Sequence, residues 1–191
     1  TEEEFKTLLG IAKQKNIIVL VDEAYHYFYP NTFIKYALED EHVFVTRTFS
    51  KLFSLAGCRL GYVAGWPEGV KLIQKLCTPH NTNAFAMKFA EAIIKNPDVL
   101  NSLISNFNEG RKYLIDSLDV HGYRHKGEAG NFIFIKTSTN ADKIVARMKA
   151  EKKILIKSYP NVGDFGTCLR VSIGEKKYMQ QFFEALLELD K

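Results

Sequence analysis

Two apolar runs, at residues 17–21 and 42–46, each lead directly into polar and reactive side chains. An unbroken apolar run of this length is typical of a strand that is buried on both faces of a parallel sheet. Asp22 follows the first run at once, and Lys51 follows the second within a few residues. Since ligands of open α/β sheets bind at the carboxyl ends of the strands, the two runs predict a sheet with a candidate site at one edge.

A third candidate strand, at residues 59–65, has its charged residue, Arg59, at its start. In the first two runs the charged residues come after the run. For Arg59 to reach the same edge as Lys51, this strand must run antiparallel to the other two. We therefore expect a mixed sheet. The apolar residues at 2–15 and 83–95 recur with helical periodicity, which predicts a helix before and a helix after these strands in the chain.

After Asn96-Pro97 the pattern changes to one long amphipathic helix, at residues 98–118. The segments beyond it are predicted as a strand at 131–136, a helix at 141–152, strands at 154–157 and 168–173, and a helix at 177–189. We expect an α/β protein of two parts. Residues 1–97 would belong to a three-layer, mixed-sheet large domain, and residues 98–191 would form a linking helix with a small α+β C-terminal domain.

The composition excludes several classes of function. Apolar residues make up 46% of the 191, but no apolar run approaches the ~20 residues of a membrane span. The net charge of +4 is spread over dispersed basic residues, so neither nucleic acid nor a membrane is predicted as a partner. Cys58, Cys77 and Cys168 lack CxxC spacing, which indicates free thiols in a reducing cytoplasm. His121 and His125 lack a third ligand, so no metal site is predicted.

The polar residues of the first part match the needs of an aldehyde cofactor that carries a phosphate. Lys51 offers an amine for a Schiff base, and nearby cations such as Arg59 and Arg47 would lower the pKa of that amine. The Arg59 guanidinium is a planar fork suited to a phosphate, and Thr48 and Ser50 add hydroxyl groups beside it. This set predicts a lysine-bound, phosphate-bearing cofactor.

The first apolar run supplies groups for an aromatic ring. Asp22 would keep a pyridine nitrogen protonated, because an adjacent carboxylate raises the pKa of a base. Tyr25 would donate to a phenolate oxygen on the ring. With Lys51 these residues predict a pyridoxal 5'-phosphate (PLP) site, where the protein binds and orients the cofactor. Glu23 is interpreted as an acid behind the site or on the surface, not as a catalyst.

Each of these residues also has an interpretation without a ligand. A lone lysine after a strand is usually a surface residue. Arg59 can form a structural ion pair, and Asp22 can cap a helix. Thr48 and Ser50 are also ordinary turn residues. Only the combination of all five favours the cofactor site.

Arg170 stands in the middle of an otherwise apolar strand, and an arginine there needs an anion. The anion is either an internal Asp or Glu or the carboxylate or phosphate of a substrate. Gly57 either lets the backbone approach a ligand closely or makes a turn. The aromatic run at residues 26–29 is interpreted mainly as core or dimer packing.

The sequence resembles the class I/II aminotransferases of PLP fold type I, and within them the histidinol-phosphate aminotransferase-like branch. The segments that carry the resemblance are 21–25, 48–51, 55–62, 81–84, 109–111, 130–132 and 169–174. It implies that Lys51 is the Schiff-base lysine and the proton shuttle. The other implied contacts are Asp22 with the pyridinium, Tyr25 with its 3'-oxygen, Thr48, Ser50 and Arg59 with the phosphate, and Arg170 with the substrate anion.

By this resemblance the intact protein is expected to transfer an amino group from an amino acid, or from histidinol phosphate, to a 2-oxo acid. A cytoplasmic homodimer in amino-acid biosynthesis is also implied. The alternatives are another PLP reaction on the same scaffold, such as amino-acid decarboxylation, or a non-catalytic interaction module. The family's upstream Asn-Pro-rich segment, glycine-rich phosphate loop and stacking aromatic have no counterpart in this sequence. We therefore expect the chain to match the C-terminal half of such an enzyme, with little activity by itself and an exposed apolar sheet face.

Overall fold

The computed structural model describes residues 1–29, 31–78, 81–127 and 129–191. These residues form two compact units, Thr1–Pro97 and Asp98–Lys191. Within the described ranges no helix combines the length and the apolar character that crossing a membrane requires. Each unit contains its own sheet, and the candidate site lies in the first.

The first unit is built on a three-stranded sheet of mixed direction. β1 (Val19–Asp22) pairs in parallel with β2 (Val43–Thr48), and β3 (Gly61–Gly65) pairs antiparallel with the other side of β2. The antiparallel third strand and the mixed sheet that the sequence predicts are therefore confirmed. The strand begins two residues after Arg59, which lies in the preceding loop.

Four α-helices accompany this sheet in the described part of the unit: α1 (Glu2–Gln14), α2 (Ile34–Glu39), α3 (Pro67–Leu76) and α4 (Ala84–Ile94). A capping box fixes the start of α1, because the Thr1 hydroxyl accepts from the Glu4 backbone N–H and the Glu4 carboxylate accepts from the Thr1 amino group. The sequence analysis missed α2 and α3, although Pro67 in the first turn of α3 is a helix-start signal.

The two faces of the first sheet differ in burial. Residues of α1 and α2 pack against Val43 and Val45 on one face, and both valines are fully buried. On the other face the Ile18 and Leu20 side chains are 57% and 63% exposed. The prediction that residues 17–21 are buried on both faces is therefore wrong for the described chain, whereas the exposed apolar sheet face expected of this chain by itself is confirmed. Phe44, on the same face, is only 7% exposed and lies beside Gly69 of α3.

The second unit is α+β, as the sequence predicts. Its four-stranded sheet has the order β4-β5-β7-β6, with every neighbouring pair antiparallel. The elements are α5 (Pro97–Val120), β4 (His125–Lys126), β5 (Phe132–Ile135), α6 (Ala141–Arg147, continued by a π-helical turn, Met148–Lys152), β6 (Lys157–Tyr159), β7 (Cys168–Ser172) and α7 (Lys176–Leu189).

One face of this second sheet forms the core of the unit. Ile133 pairs with Val171, and Ile135 pairs with Leu169, and all four are almost completely buried. The helices cover them with apolar side chains that are also buried, among them Leu114, Leu118, Ile144, Phe182 and Leu186. Because side chains alternate along a strand, Arg170 lies on the opposite face.

The strand predicted at residues 154–157 is wrong, since the observed strand is Lys157–Tyr159. Lys153 adopts the left-handed backbone conformation with φ of 59° and ends the helix. The Ile154 N–H donates to the Met148 carbonyl at 3.1 Å. The backbone at 153–154 therefore closes the preceding helix, and sheet pairing begins later than the apolar pattern indicates.

Candidate active site

The parallel strands β1 and β2 place their following segments at one edge of the sheet. Asp22, the last residue of β1, lies opposite Thr46, and its side chain is exposed. The Asp22 Oδ1 atom accepts from the Ala24 N–H at 3.0 Å and so starts a turn. The short 3₁₀ helix that follows has no side-chain cap, so the alternative role of Asp22 as a helix cap finds no support.

Lys51 and Tyr25 meet at this edge. The Lys51 Nζ atom lies 5.3 Å from the centroid of the Tyr25 ring, within the range of a cation–π contact. Lys51 is half-buried, and its carbonyl accepts from the Ser54 N–H at 3.0 Å. None of the carboxylates in the described ranges forms an ion pair with its amine. The amine is therefore held near a phenol and is not neutralised by an acid.

The loop after β2 folds back on the end of that strand. The Phe49 N–H donates to the Leu60 carbonyl at 3.1 Å, just beyond the pairing of Thr48 with Gly61. The Thr48 hydroxyl in turn accepts from the Ser50 N–H at 3.0 Å. This closed loop brings Leu60 back beside Thr48, whose hydroxyl lies 3.5 Å from the Leu60 carbonyl oxygen.

Arg59 occupies the last part of this loop in an uncommon conformation. Its φ of 51° and ψ of 40° fall in the left-handed region, which is costly for a residue with a side chain. The Arg59 Nη1 atom donates to the Ala56 carbonyl at 3.2 Å, and no carboxylate among the described residues pairs with the guanidinium. The alternative of a structural ion pair therefore finds no support, and the exposed guanidinium is available to an anion.

Gly57 lies in the same loop, inside the short 3₁₀ helix Ala56–Cys58. A Cβ atom built there would meet nothing within 4 Å, and the backbone does not need a positive φ. Neither a described neighbour nor a special turn therefore explains a glycine at this position. Open space above Gly57 fits the close approach of a ligand.

On the opposite face of the sheet lies an ion pair that the sequence analysis missed. Glu23 is only 8% exposed, and its Oε2 atom accepts from Arg47 Nε at 3.0 Å and lies 2.9 Å from Arg47 Nη2. Burial by itself would lower the pKa of Arg47, but hydrogen bonds with Tyr62 and Glu23 raise it. Glu23 is therefore not a surface acid, and Arg47, expected beside Lys51, is instead paired with Glu23.

The alternation of side chains along the two strands could have predicted this ion pair. Val21 lies opposite Val45 in the parallel register. Two residues further on, the same face must carry Glu23 on one strand and Arg47 on the next. Two opposite charges that continue an apolar stripe in register predict a buried ion pair.

Residues 26–28 of the aromatic loop are half-buried, as the interpretation from the sequence expects of packing residues, whereas Tyr29 is 43% exposed. Tyr27 contacts Phe53 edge-on, with the ring centroids 5.2 Å apart. The His26 Nδ1 atom lies 3.8 Å from the Glu23 carboxylate. Burial lowers the pKa of His26, and the Arg47 charge lowers it further against the opposing effect of Glu23.

Arg170 lies in the second unit, on the face of β7 that is not part of the core. Its guanidinium carbon lies 3.9 Å from the centroid of the Phe132 ring. Phe134 stands opposite Arg170 in the register and contacts Phe132 edge-on, at 5.3 Å between centroids. Within the described ranges no Asp or Glu pairs with Arg170, so an internal anion partner finds no support there.

The two histidines with helical spacing are engaged in other contacts. The His121 Nδ1 atom lies 2.9 Å from the Ser117 carbonyl, and His125 Nε2 lies 2.9 Å from an Asp119 carboxylate oxygen. Over the ranges that the structure describes, no three His, Cys, Asp or Glu residues cluster as a metal site requires.

Comparison with solved structures identifies the fold. The histidinol-phosphate aminotransferase from Clostridium acetobutylicum superimposes with a TM-score of 0.87 over 100% of this chain and 59% of its own, at 23% identity. The enzyme of the same name from Sinorhizobium meliloti, solved in complex with pyridoxal-5'-phosphate, gives a TM-score of 0.79 over 90% of this chain and 48% of its own, at 25% identity. The chain therefore has the fold of PLP fold type I aminotransferases.

Sequence comparison identifies the family. A histidinol-phosphate aminotransferase of Thermoanaerobacter sp. (strain X514) is 32% identical over 187 residues, which are 97% of this chain and 52% of the relative. The chain thus spans about half the length of the curated relatives it matches. The family model for class I and II aminotransferases matches residues 1–186. On this match, which covers nearly all of its length, the chain belongs to the class I and II aminotransferase family.

Proposed function

We propose that the whole protein carrying this chain is a PLP-dependent transaminase. It would transfer an amino group from an amino acid, or from histidinol phosphate, to a 2-oxo acid. The observation that carries the proposal is the half-buried Lys51 amine beside the Tyr25 ring, at the sheet edge where Asp22 also ends its strand. The name of the Thermoanaerobacter relative supports the histidinol-phosphate branch.

The chemistry of the donor set fits PLP. The Lys51 amine has no acid partner among the described residues, and Tyr25 and Asp22 add a phenol and an exposed carboxylate. These are the groups that a Schiff base, a ring oxygen and a ring nitrogen require. The Thr48 and Ser50 hydroxyls match a phosphate, and so does the Arg59 guanidinium, which pairs with no carboxylate in the described part of the chain. When bound, PLP supplies an electron sink for the bond that breaks at the substrate Cα atom.

Each residue then has one task. Asp22 holds a proton on the ring nitrogen, because its charge stabilises the protonated form. Tyr25 donates a hydrogen bond to the ring oxygen. Lys51 would anchor the cofactor, and its amine, when free, would act as the base that moves the proton of the substrate Cα atom. Arg59 keeps the phosphate in place throughout.

The two units would have different tasks. Residues 1–97 would be the part of the large domain that binds the cofactor, and residues 98–191 the linking helix with the small domain. Arg170, with its guanidinium stacked on Phe132, would bind the carboxylate or phosphate of the substrate. A cytoplasmic homodimer is part of the same proposal.

The test is to incubate the whole protein with PLP, a panel of amino donors that contains amino acids and histidinol phosphate, and a panel of 2-oxo acid acceptors. We expect a new amino acid and the oxo product of one donor to form in equal amounts. Release of carbon dioxide without formation of an oxo acid would contradict transamination and support a decarboxylase. The acceptor panel also identifies the substrate pair.

We expect Arg59→Ala and Arg170→Ala to impair the whole enzyme in different ways. Arg59→Ala should weaken PLP retention, whereas Arg170→Ala should leave the bound-cofactor spectrum intact and raise the KM for the amino donor. Each lost charge-assisted contact costs ~1.5–3 kcal/mol, which is roughly ten- to a hundredfold in the measured constant. PLP titration and steady-state kinetics measure the two effects.

Arg147→Ala is the matched control for both variants. Arg147 forms a bidentate pair with Glu151, but both side chains are solvent-exposed. We expect its loss to change neither PLP retention nor the KM, since exposed pairs contribute little. Loss of cofactor in Arg170→Ala, with an unchanged KM for the donor, would show that Arg170 does not bind substrate.

A further inference from the structure

The Glu23 carboxylate closes the loop that carries Tyr25. It accepts from the Phe33 N–H at 2.6 Å and from the Thr32 hydroxyl at 2.9 and 3.0 Å. Glu23 begins the segment that contains Tyr25, and Thr32 and Phe33 follow that segment. One buried carboxylate therefore ties both ends of the loop together at the edge of the sheet.

Arg47 ties the same loop to the strand that leads to Lys51. Its Nη2 atom donates to the Thr32 hydroxyl at 2.8 Å, its Nε atom donates to Glu23, and Nη1 lies 3.4 Å from the Tyr62 hydroxyl. Arg47 is the penultimate residue of β2, four positions before Lys51. The ion pair thus connects the end of β1, the end of β2 and β3.

The pair cannot reach a ligand that contacts Asp22. Asp22 and Thr46 are register partners on one face of the sheet. Glu23 and Arg47 are their immediate neighbours along the two strands and therefore face the opposite side. Any effect of the pair on a cofactor must act through the positions of Tyr25 and Lys51.

We propose that Glu23 and Arg47 are positioning residues that hold Tyr25 and Lys51 in the arrangement that binds PLP. The inference rests on the proposed function. A binding group must be held within about 0.5 Å of its productive position. The pair has three further hydrogen-bonding groups around it, the Thr32 hydroxyl, the Phe33 N–H and the Tyr62 hydroxyl, and can supply that rigidity. The Tyr25 loop, by contrast, has no regular strand of its own.

The test compares three variants of the whole protein: Glu23→Gln, Arg47→Lys, and the double variant Glu23→Gln/Arg47→Met. The first two break the pair. The double variant removes both charges, while the glutamine oxygen can still accept from the Phe33 N–H. Replacing a buried ion pair by neutral groups is often neutral for stability. In the double variant, a loss of PLP binding can therefore be attributed to lost positioning of Tyr25 and Lys51 and not to unfolding.

The two readouts are the PLP dissociation constant and the pH midpoint of the visible absorbance of Lys51-bound cofactor. A change in fold stability alone would alter neither of them. We expect the dissociation constant to rise on the order of tenfold, equivalent to about 1.4 kcal/mol, in all three variants. We expect the pH midpoint to shift in the same variants. Thermal melts should show the double variant close to wild type in stability.

Wild-type affinity and an unchanged midpoint in the folded double variant would overturn the positioning role. Should that variant fail to fold, Glu23→Gln, which removes the negative charge of the pair but keeps an oxygen that can accept from the Phe33 N–H, decides by the same two readouts. Arg147→Gln, which breaks an exposed pair of similar geometry, should change neither readout. Absence of any Lys51-dependent absorbance in the wild-type protein would instead contradict the proposed function, and this inference with it.

Discussion

Replacing Lys51 by alanine is expected to remove the visible absorbance of bound cofactor and to abolish amino transfer by the whole protein. Lys51 is the one residue that we propose both to bind the cofactor covalently and to transfer the proton. Loss of the proton transfer alone lowers a rate by roughly 10²–10⁴-fold. We expect the combined loss to exceed roughly a thousandfold, measured as initial rate with the best donor and acceptor.

Two control variants make this result specific. Lys88→Ala removes a lysine whose side chain is 82% exposed and paired with Glu91 at 2.9 Å, and we expect it to leave absorbance and rate unchanged. Lys51→Arg keeps the positive charge over the Tyr25 ring but cannot form a Schiff base, so it should be as inactive as alanine. Activity in either Lys51 variant would show that another group performs the chemistry.

Replacing Gly110 by alanine is expected to destabilise the second unit strongly. Gly110 lies inside α5, and a Cβ atom there would overlap the carbonyl oxygen of Gly174, just after β7. The obstacle is backbone, so no side-chain rotation can relieve it, and the helix must move away from the core. We expect a loss of roughly 2–4 kcal/mol in the free energy of unfolding.

Hydrogen exchange resolved by segment is the appropriate measurement, because it reports the stability of residues 98–191 separately. Gly10→Ala is the matched control. Gly10 is also helical, but a Cβ atom there meets nothing within 4 Å. Alanine should therefore stabilise α1 by about 0.5–1 kcal/mol. Equal protection of residues 98–191 in Gly110→Ala and wild type would contradict the tight helix–backbone contact.

The mixed sheet could be predicted because it follows from local patterns. The apolar runs locate β1 and β2 to within two residues, and the requirement that Arg59 approach Lys51 gives the direction of β3. The candidate site residues of the first unit could be named for the same reason, since each stands at a strand end or in the loop after it. Arg170 was named for a different reason, because it is a charge inside an otherwise apolar strand. Reactive side chains at strand ends can be recognised in a sequence, because an apolar run stops where a buried strand ends.

The errors arose where a pattern has two physical explanations. An apolar run fits a strand buried on both faces, yet Ile18 and Leu20 are exposed, because burial depends on what covers a face and not on the strand itself. The run at 154–157 looks like a strand, but its first residues end a helix. For Glu23 the sequence left open an acid behind the site and a surface acid, because its partner Arg47 lies on another strand and only the register brings them together. The burial of Glu23 excludes the surface position.

The most direct test of the account is chemical trapping of the cofactor on the whole protein. Borohydride reduces the Schiff base between PLP and a lysine to a stable amine, and peptide mapping by mass spectrometry then locates the modified residue. The account predicts one pyridoxyl group per chain, on Lys51, and none in Lys51→Ala. A modified peptide that contains another lysine, or no modification of the wild-type protein at saturating PLP, would contradict it.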